Sequence, residues 1–110
     1  MKYYEFDCVV IGGGAAGMGA SVNIKQKNLS VCIIEREEFL GGILMQCIHN
    51  GFGLHEFKEE LTGPEYAERY ADIVKSLNID TFLNTTVIQI NTNDDESKDV
   101  CELELFPEAN

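Results

Sequence analysis

The sequence predicts an α/β fold in which parallel strands are joined through helices. Residues 7–11 and 31–35 are short β-branched runs of the kind that form fully buried parallel strands. The segment 15–26 between them is rich in compact and apolar residues and carries lysine near its end, where a cation suits the helix dipole. Asn28 is suited to a left-handed helix cap. This order predicts a βαβ unit, with parallel strands and a crossover helix.

The rest of the chain adds a second helix and three more strands. Residues 62–65, Thr-Gly-Pro-Glu, fit a capping box with proline in the first turn. An apolar stripe then follows at helical spacing: Ala67, Tyr70, Ala71, Val74 and Leu77. Residues 79–83 predict a third strand. Residues 87–91 and 100–105 predict an antiparallel pair, the start of a β-meander, joined by a polar solvated loop.

Composition and charge exclude several classes of function. The chain has 110 residues, which suits one domain, and its 19 acidic against 8 basic residues give a formal charge of −11. Without a basic stripe we expect no nucleic-acid partner. No apolar run approaches the roughly 18 residues of a membrane span, and the first residues lack a signal-peptide pattern. We therefore expect a cytoplasmic protein without a membrane span.

The four cysteines do not form a recognisable metal or redox motif. They stand at positions 8, 32, 47 and 101, so that no CxxC pair and no zinc-ligand cluster is present. Cys8 and Cys32 fall inside predicted strands, where cysteine usually acts as a small hydrophobic residue. We expect no metal site.

The glycine-rich run after the first strand carries the strongest functional signal. Its sequence is Gly12-Gly13-Gly14-Ala15-Ala16-Gly17, which matches G-x-G-x-x-G between a strand and a helix. Gly12 permits a tight turn, Gly14 lets the backbone approach a pyrophosphate, and Gly17 allows close helix–strand packing. Glu35, which ends the second strand, can accept hydrogen bonds from ribose hydroxyls. These residues predict an ADP-containing dinucleotide on the helix N-terminus.

The motif alone leaves the dinucleotide open, because FAD and NAD share the ADP half. A NAD-binding module without flavin is one alternative, and a non-catalytic nucleotide-binding fragment is another. The segment 38–63 bears on this choice. It is glycine-rich and has no clean period, yet its apolar content argues against disorder.

At this point the sequence resembles FAD-dependent oxidoreductases with two dinucleotide-binding domains. The similarity runs through Glu35-Arg36, then Leu40-Gly41-Gly42-Ile43-Leu44, then residues 46–54 and 58–66. More narrowly, these blocks resemble a bacterial group near anaerobic glycerol-3-phosphate dehydrogenase and the sarcosine oxidase α-subunit. The resemblance implies a Rossmann-type FAD-binding fold and a flavin-dependent oxidoreductase.

The resemblance also implies which residues meet the cofactor. It places the adenosine of FAD on Glu35, with Arg36 beside it, and the diphosphate on the Gly12–Gly17 turn. The pair Gly41 and Gly42 would approach the ribityl-diphosphate. The turn after the third strand would contact adenine near Val87. A plain NAD module has no need for this second glycine pair, which favours FAD.

Two departures from the family pattern limit what the chain is expected to do. Disulfide reductases of this superfamily carry a CxxxxC pair after the glycine pair, but here Leu44 stands at the first position and Cys47 has no nearby partner. We therefore expect no disulfide-exchange chemistry. Cys47 and His49 are candidates to face the flavin or substrate, against simpler roles as a packed side chain and a loop anchor.

The second departure is length, since relatives run to several hundred residues. We expect an incomplete FAD-binding domain made of three parts: the βαβ fingerprint (1–37), a cofactor-proximal loop (38–63), and the helix, third strand and meander (64–110). NAD(P)H would be the partner cofactor of the full-length protein. We expect the isolated chain to be inactive, and open hydrophobic edges to favour self-association or pairing with the missing part. The substrate is left undetermined.

Overall fold

The computed structural model describes residues 2–47, 49–92 and 101–107. The described elements are β1 (Cys8–Ile11), α1 (Ala15–Gln26), β2 (Val31–Ile34), a 3-10 helix (Gly42–Gln46), α2 (Leu54–Phe57), α3 (Gly63–Ser76), β3 (Asp80–Phe82), β4 (Thr86–Thr92) and β5 (Cys101–Phe106). The predicted βαβ unit is therefore present, and α1 has the predicted bounds.

The first three strands form a parallel sheet with β2 in the centre. Its order is β1-β2-β3, with Cys8 opposite Val31 and Cys32 opposite Asp80. All four residues of β2 are buried. A central parallel strand must be apolar on both faces, so the β-branched run in this segment matches its place in the sheet.

The hydrophobic core lies between one face of this sheet and two helices. Met18 of α1 and Val74 of α3 are nearly inaccessible and pack with Val31 and Ile33 of β2. Helix α3 begins at the predicted capping box, where the Thr62 hydroxyl accepts from the Glu65 amide and the Glu65 carboxylate accepts from the Thr62 amide. Both helices thereby bury their apolar stripes against the same side of the sheet.

The prediction that β1 is fully buried is wrong. Cys8 and Val10 pack against the core, but Val9 and Ile11 are 38% and 54% exposed. Successive side chains of a strand point to opposite faces, so Val9 and Ile11 belong to the face turned away from α1 and α3. Both helices lie on the other face and β1 is an edge strand, so this apolar pair is left open, whereas Cys32 and Ile34 beside it on the central β2 are buried.

The segment 38–63 is more ordered than its sequence suggested. Gly42–Gln46 form the 3-10 helix, and an antiparallel bridge joins Phe52 to Leu61 around the short α2. The ring of Tyr66 on α3 lies 6.1 Å from that of Phe52 and 5.8 Å from that of Phe57. Aromatic packing therefore holds this loop on α3, which explains how it folds without a helical or strand period.

Strands β4 and β5 form the predicted antiparallel pair. Thr86 lies opposite Phe106 and Ile90 opposite Leu103, with an irregularity between Val87 and Gln89. Ile88 and Ile90 are more than half exposed. The predicted polar loop between the strands lies largely outside the described residues. Among the helices that the structure describes, none is long and apolar enough to cross a membrane.

Candidate dinucleotide-binding site

The turn from β1 into α1 is built from glycines with different tasks. Gly12 has a φ of +103°, which strongly favours glycine, and its amide donates to the Ile34 carbonyl oxygen over 2.8 Å. A Cβ on Gly17 would overlap the carbonyl oxygen of Gly12 and lie 3.2 Å from Val10 Cγ1. The first turn of α1 is therefore pressed against the end of β1, as close packing at the third motif glycine requires.

Gly14 faces open space at the start of α1. It is the N-cap residue, and no side chain caps the helix there. A Cβ built on Gly14 would meet no described atom within 4 Å. The next two residues, Ala15 and Ala16, are exposed, and the first turn contains no acidic residue. The N–H groups and positive dipole end of α1 are thus accessible to an anion.

Glu35 is buried beside the glycine turn, with 7% of its surface exposed. Its Oε1 accepts a hydrogen bond from the Gly13 amide over 2.7 Å, and its Oε2 accepts one from the Glu37 amide over 2.8 Å. The carboxylate therefore links the end of β2 to the glycine turn. A buried charge needs such partners to offset its desolvation.

The second glycine pair contacts the first. The Gly41 amide donates to the Gly13 carbonyl oxygen over 2.8 Å. Gly42 has a φ of +54°, and a Cβ on it would lie 3.3 Å from the Cα of Gly14. The start of the 3-10 helix thus lies directly against the motif turn, so residues 28 positions apart form one glycine-lined surface.

The other predicted site residues, Arg36 and Val87, lie directly after Glu35 in the chain and near the start of β4. The side chain of Arg36 is 79% exposed, with its Nε 3.8 Å from a Glu37 carboxylate oxygen. Val87 is half-buried near the start of β4. Two residues earlier, the Thr85 amide donates to the carbonyl oxygen of Glu35 over 3.0 Å. The connection between β3 and β4 is therefore bonded to the backbone at the end of β2.

Cys47 and His49 take part in local contacts. The Cys47 thiol donates to the Ile43 carbonyl oxygen over 3.4 Å, and His49 Nδ1 lies 3.2 Å from the Asn50 carbonyl oxygen. The His49 ring also lies 5.1 Å from the ring of Phe52. All four cysteines are free, and the described residues contain no His/Cys/Asp/Glu group that could hold a metal. Any role toward flavin or substrate stays a prediction.

Two residues organise the site without having been given a role of their own from the sequence, Gly13 within the predicted turn and Thr85 outside it. Gly13 donates to Glu35 and accepts from Gly41, and a Cβ on it would require the end of the Leu40 side chain to move. Its place as the middle of three glycines was the available signal. Thr85 is 4% exposed and bonded to Glu35, but its polar surroundings of Asn84 and Thr86 resemble an ordinary turn.

This arrangement is an α/β unit of the dinucleotide-binding type, with a glycine-lined turn at a helix start and a buried acid at the end of the second strand. The chain matches the family described as FAD dependent oxidoreductase over residues 7–102, and it belongs to that family. FAD is thus confirmed as the cofactor of the family, and the Rossmann-type fold expected from the sequence is confirmed as well.

Known relatives extend beyond the matched region. Thioredoxin reductase of Ureaplasma parvum is 36% identical over 81 residues, which are 72% of this chain and 25% of that protein. Mitochondrial glycerol-3-phosphate dehydrogenase of Schizosaccharomyces pombe is 43% identical over 35 residues, 32% of this chain and 5% of that protein. The match therefore spans a quarter or less of these two relatives.

A solved structure supports the fold independently. Thioredoxin reductase of T. acidophilum superposes with a TM-score of 0.77 at 24% identity, covering 94% of this chain and 31% of that chain. At this identity the likeness shows the fold alone. It agrees with a partial domain composed of a parallel three-stranded sheet, its helices and an antiparallel hairpin.

Proposed function

We propose that this chain holds FAD through its ADP moiety, with the diphosphate on the turn formed by residues 12–17. The observation that carries this proposal is the open face of Gly14. A Cβ there would meet no described atom, while Gly42 lies against the same residue from the other glycine pair. Bare backbone at an uncapped helix start is suited to a diphosphate, because N–H groups and the helix dipole both favour the anion.

The adenosine end of the cofactor would lie at Glu35. Each carboxylate oxygen has a second lone pair beyond the one used by Gly13 or Glu37, so a ribose hydroxyl can donate to the same group. A phosphate at this place would be repelled by the carboxylate, which favours a free 2′-hydroxyl. Arg36 and the backbone near Val87 are the proposed further contacts on the adenosine side.

The chemistry of the complete protein is proposed to be hydride or electron transfer, which FAD supplies when bound. The residues of this chain bind and orient the cofactor, and none is assigned as an acid or base. NAD(P)H is the proposed partner cofactor. Within the family, we place the chain in the group near anaerobic glycerol-3-phosphate dehydrogenase and the sarcosine oxidase α-subunit. The sequence blocks at 40–44 and 46–54 support this placement, and a glycerol-3-phosphate dehydrogenase is among the relatives.

Two features support the proposed setting of the protein. All four cysteines are free, as is usual in a reducing compartment, and this supports a cytoplasmic location. Val9 and Ile11 on the open face of the sheet, with Ile88 and Ile90 on β4, are exposed apolar side chains. Such side chains support pairing with further segments of a longer protein or with a second copy.

Cofactor identity is tested by the visible absorption spectrum of the purified chain, before and after titration with FAD. We expect a bound-flavin spectrum and quenched or shifted flavin fluorescence, and weaker binding of NADH, which shares only the ADP half with FAD. Binding of NADH without flavin would favour the plain NAD module. A chain that binds neither would contradict the proposed FAD site on this polypeptide and favour a fragment without nucleotide affinity.

A matched pair of glycine variants tests the location of the diphosphate. Gly14→Ala and Gly19→Ala each add one methyl group at a position where a Cβ meets no described atom within 4 Å. Only Gly14 belongs to the turn that is proposed to hold the diphosphate. Gly14→Ala is therefore expected to weaken FAD binding about tenfold or more, while Gly19→Ala leaves binding unchanged. Equal affinities for the two variants would contradict the placement.

A further inference from the structure

Glu35 makes four hydrogen bonds to the backbone of the chain without any ligand. Its carboxylate accepts from the amides of Gly13 and Glu37. Its own amide donates to the Phe82 carbonyl oxygen over 2.9 Å, and its carbonyl oxygen accepts from the Thr85 amide over 3.0 Å. One of these bonds comes from Phe82 at the end of β3, and one comes from Thr85 in the connection between β3 and β4. That connection therefore helps to determine where the carboxylate lies.

The turn at residues 83–85 is shaped to present two amides to the end of β2. Asn84 has a φ of +52°, a conformation that asparagine tolerates better than most residues, and its amide donates to the Glu37 carbonyl oxygen over 2.9 Å. The Thr85 hydroxyl donates to the Leu83 carbonyl oxygen over 2.8 Å, and Thr85 is only 4% exposed. This hydroxyl closes the turn and aims the Thr85 amide at Glu35.

We propose that Thr85 is a positioning residue for the ribose of the bound nucleotide and that it acts through Glu35. The inference rests on the proposed function, because it assumes that Glu35 accepts from the ribose hydroxyls. A carboxylate whose backbone and side chain are already fixed loses little conformational freedom on binding. Loosening the turn at Thr85 is therefore expected to weaken recognition of the ribose hydroxyls more than it weakens the proposed diphosphate contacts, which the backbone of the glycine turn makes.

The test compares ADP with 2′-deoxy-ADP by isothermal titration calorimetry. For the unmodified chain, loss of the 2′-hydroxyl is expected to raise Kd about tenfold, as for a hydrogen bond to a charged group. In Thr85→Val the ratio of the Kd for 2′-deoxy-ADP to the Kd for ADP is expected to fall to about two, since the loosened carboxylate no longer distinguishes the two nucleotides well. Thr85→Ser keeps the hydroxyl and is expected to restore the ratio. An unchanged ratio in Thr85→Val would overturn the inference.

Thr81→Val provides a matched control on the neighbouring strand. The Thr81 hydroxyl also donates to a carbonyl oxygen two residues earlier, that of Ile79, over 3.4 Å, but no described bond joins Thr81 to Glu35. This variant is expected to keep the tenfold ratio. If it lowered the ratio as far as Thr85→Val does, the effect would be a general loss of stability, and the positioning role would be wrong.

A ligand-free measurement separates this inference from the proposed function. Amide hydrogen exchange at Gly13 and Glu37 is expected to accelerate about fivefold in Thr85→Val, because the carboxylate that protects both amides becomes mobile. Unchanged exchange would overturn the positioning role even where ADP binds. If the unmodified chain bound neither ADP nor FAD, the proposed function would fall, and the inference with it.

Discussion

The amide nitrogen of Gly13 lies 2.7 Å from Oε1 of Glu35, and this hydrogen bond joins the glycine turn to the acid at the end of β2. The two residues are 22 positions apart and follow the carboxyl ends of β1 and β2, the two parallel strands of the βαβ unit. Since the same acid is the proposed acceptor for the ribose, this hydrogen bond connects the proposed diphosphate side of the ADP site to its proposed ribose side. Its carboxylate therefore has a structural role in addition to its proposed binding role.

Glu35→Gln is expected to destabilise the ligand-free chain. The variant replaces one acceptor oxygen by an NH₂ group, which faces an amide that also donates, so a buried donor loses its partner. The expected loss is about 1–3 kcal/mol in the free energy of unfolding, measured by urea denaturation. Glu38→Gln at an exposed neighbour is the control and is expected to change little. Equal stability of the two variants would show that the buried bonds contribute nothing.

Gly17→Ala is expected to destabilise the fold, whereas Gly19→Ala in the same helix is expected to stabilise it. A methyl group on Gly17 would overlap the Gly12 carbonyl oxygen, while one on Gly19 enters open space. The first change should cost about 1–3 kcal/mol through forced backbone shifts. The second should add about 0.5–1 kcal/mol, because alanine is the better helix former. Thermal unfolding by circular dichroism measures both, and effects of the same sign would contradict this packing.

Glu65 is expected to make α3 sensitive to acid. Hydrogen bonds from the backbone and then the side chain of Thr62 lower the pKa of Glu65 below its ordinary value of 4.5. A depressed folded pKa means that the stabilisation is present above about pH 4.5 and is lost as pH falls through the folded pKa.

The acid sensitivity is measured as the difference in unfolding free energy between the unmodified chain and Glu65→Gln, from pH 6 down to pH 3. Glutamine preserves the capping geometry but does not titrate. The difference should shrink as the pH falls. Glu68→Gln, an exposed change on the same helix, should leave the acid response in place. A pH-independent difference for Glu65→Gln would contradict the capping interaction.

Cys32 is expected to be the least reactive thiol among the four cysteines. Burial, followed by the nearby charge of Asp80, raises the pKa of Cys32 to about 11. The thiolate is the nucleophile, so alkylation at pH 8 should modify exposed Cys101 well before Cys32. The pKa of Cys32 is raised in the folded chain. The contribution of this thiol to the free energy of unfolding is therefore complete at pH values below the ordinary thiol pKa, and it is lost as the pH rises towards 11.

Site-resolved mass spectrometry of iodoacetamide labelling checks the thiol prediction. In urea the two cysteines should react at similar rates, because unfolding removes the burial. Similar rates in the folded chain would show that β2 is not enclosed as the structure indicates. The experiment thereby also tests the central strand of the sheet.

Local sequence patterns were sufficient for most of the secondary structure. Thr62 to Glu65 specify a helix start through bonds between residues three apart, and the left-handed Asn28 and Asn78 follow the ends of α1 and α3. The motif glycines and Glu35 were also identifiable, because each stands at a fixed offset from a strand. Such features depend on neighbours along the chain, so they can be read without knowing the fold.

Burial of β1 and order in the segment 38–63 could not be predicted in this way. An apolar run indicates that a strand is able to be buried, but the edge position of β1 and the placement of α1 and α3 on the other face leave Val9 and Ile11 open. The loop is held by rings from α3, whose approach depends on the packing of the whole domain. Neither the exposure of β1 nor the order of the segment 38–63 follows from the spacing of apolar residues along the chain.

The βαβ unit, the glycine turn and the acid that follows the second strand were all predictable from the sequence. The hydrogen bond between Glu35 and Gly13, the contact of Gly42 with Gly14 and the bond from Thr85 to Glu35 became evident from the packed fold. The two groups differ in the sequence separation of the residues that interact. Helix caps and strand periods arise from interactions within a few residues, whereas the site is assembled from segments that meet only after the sheet and helices have packed.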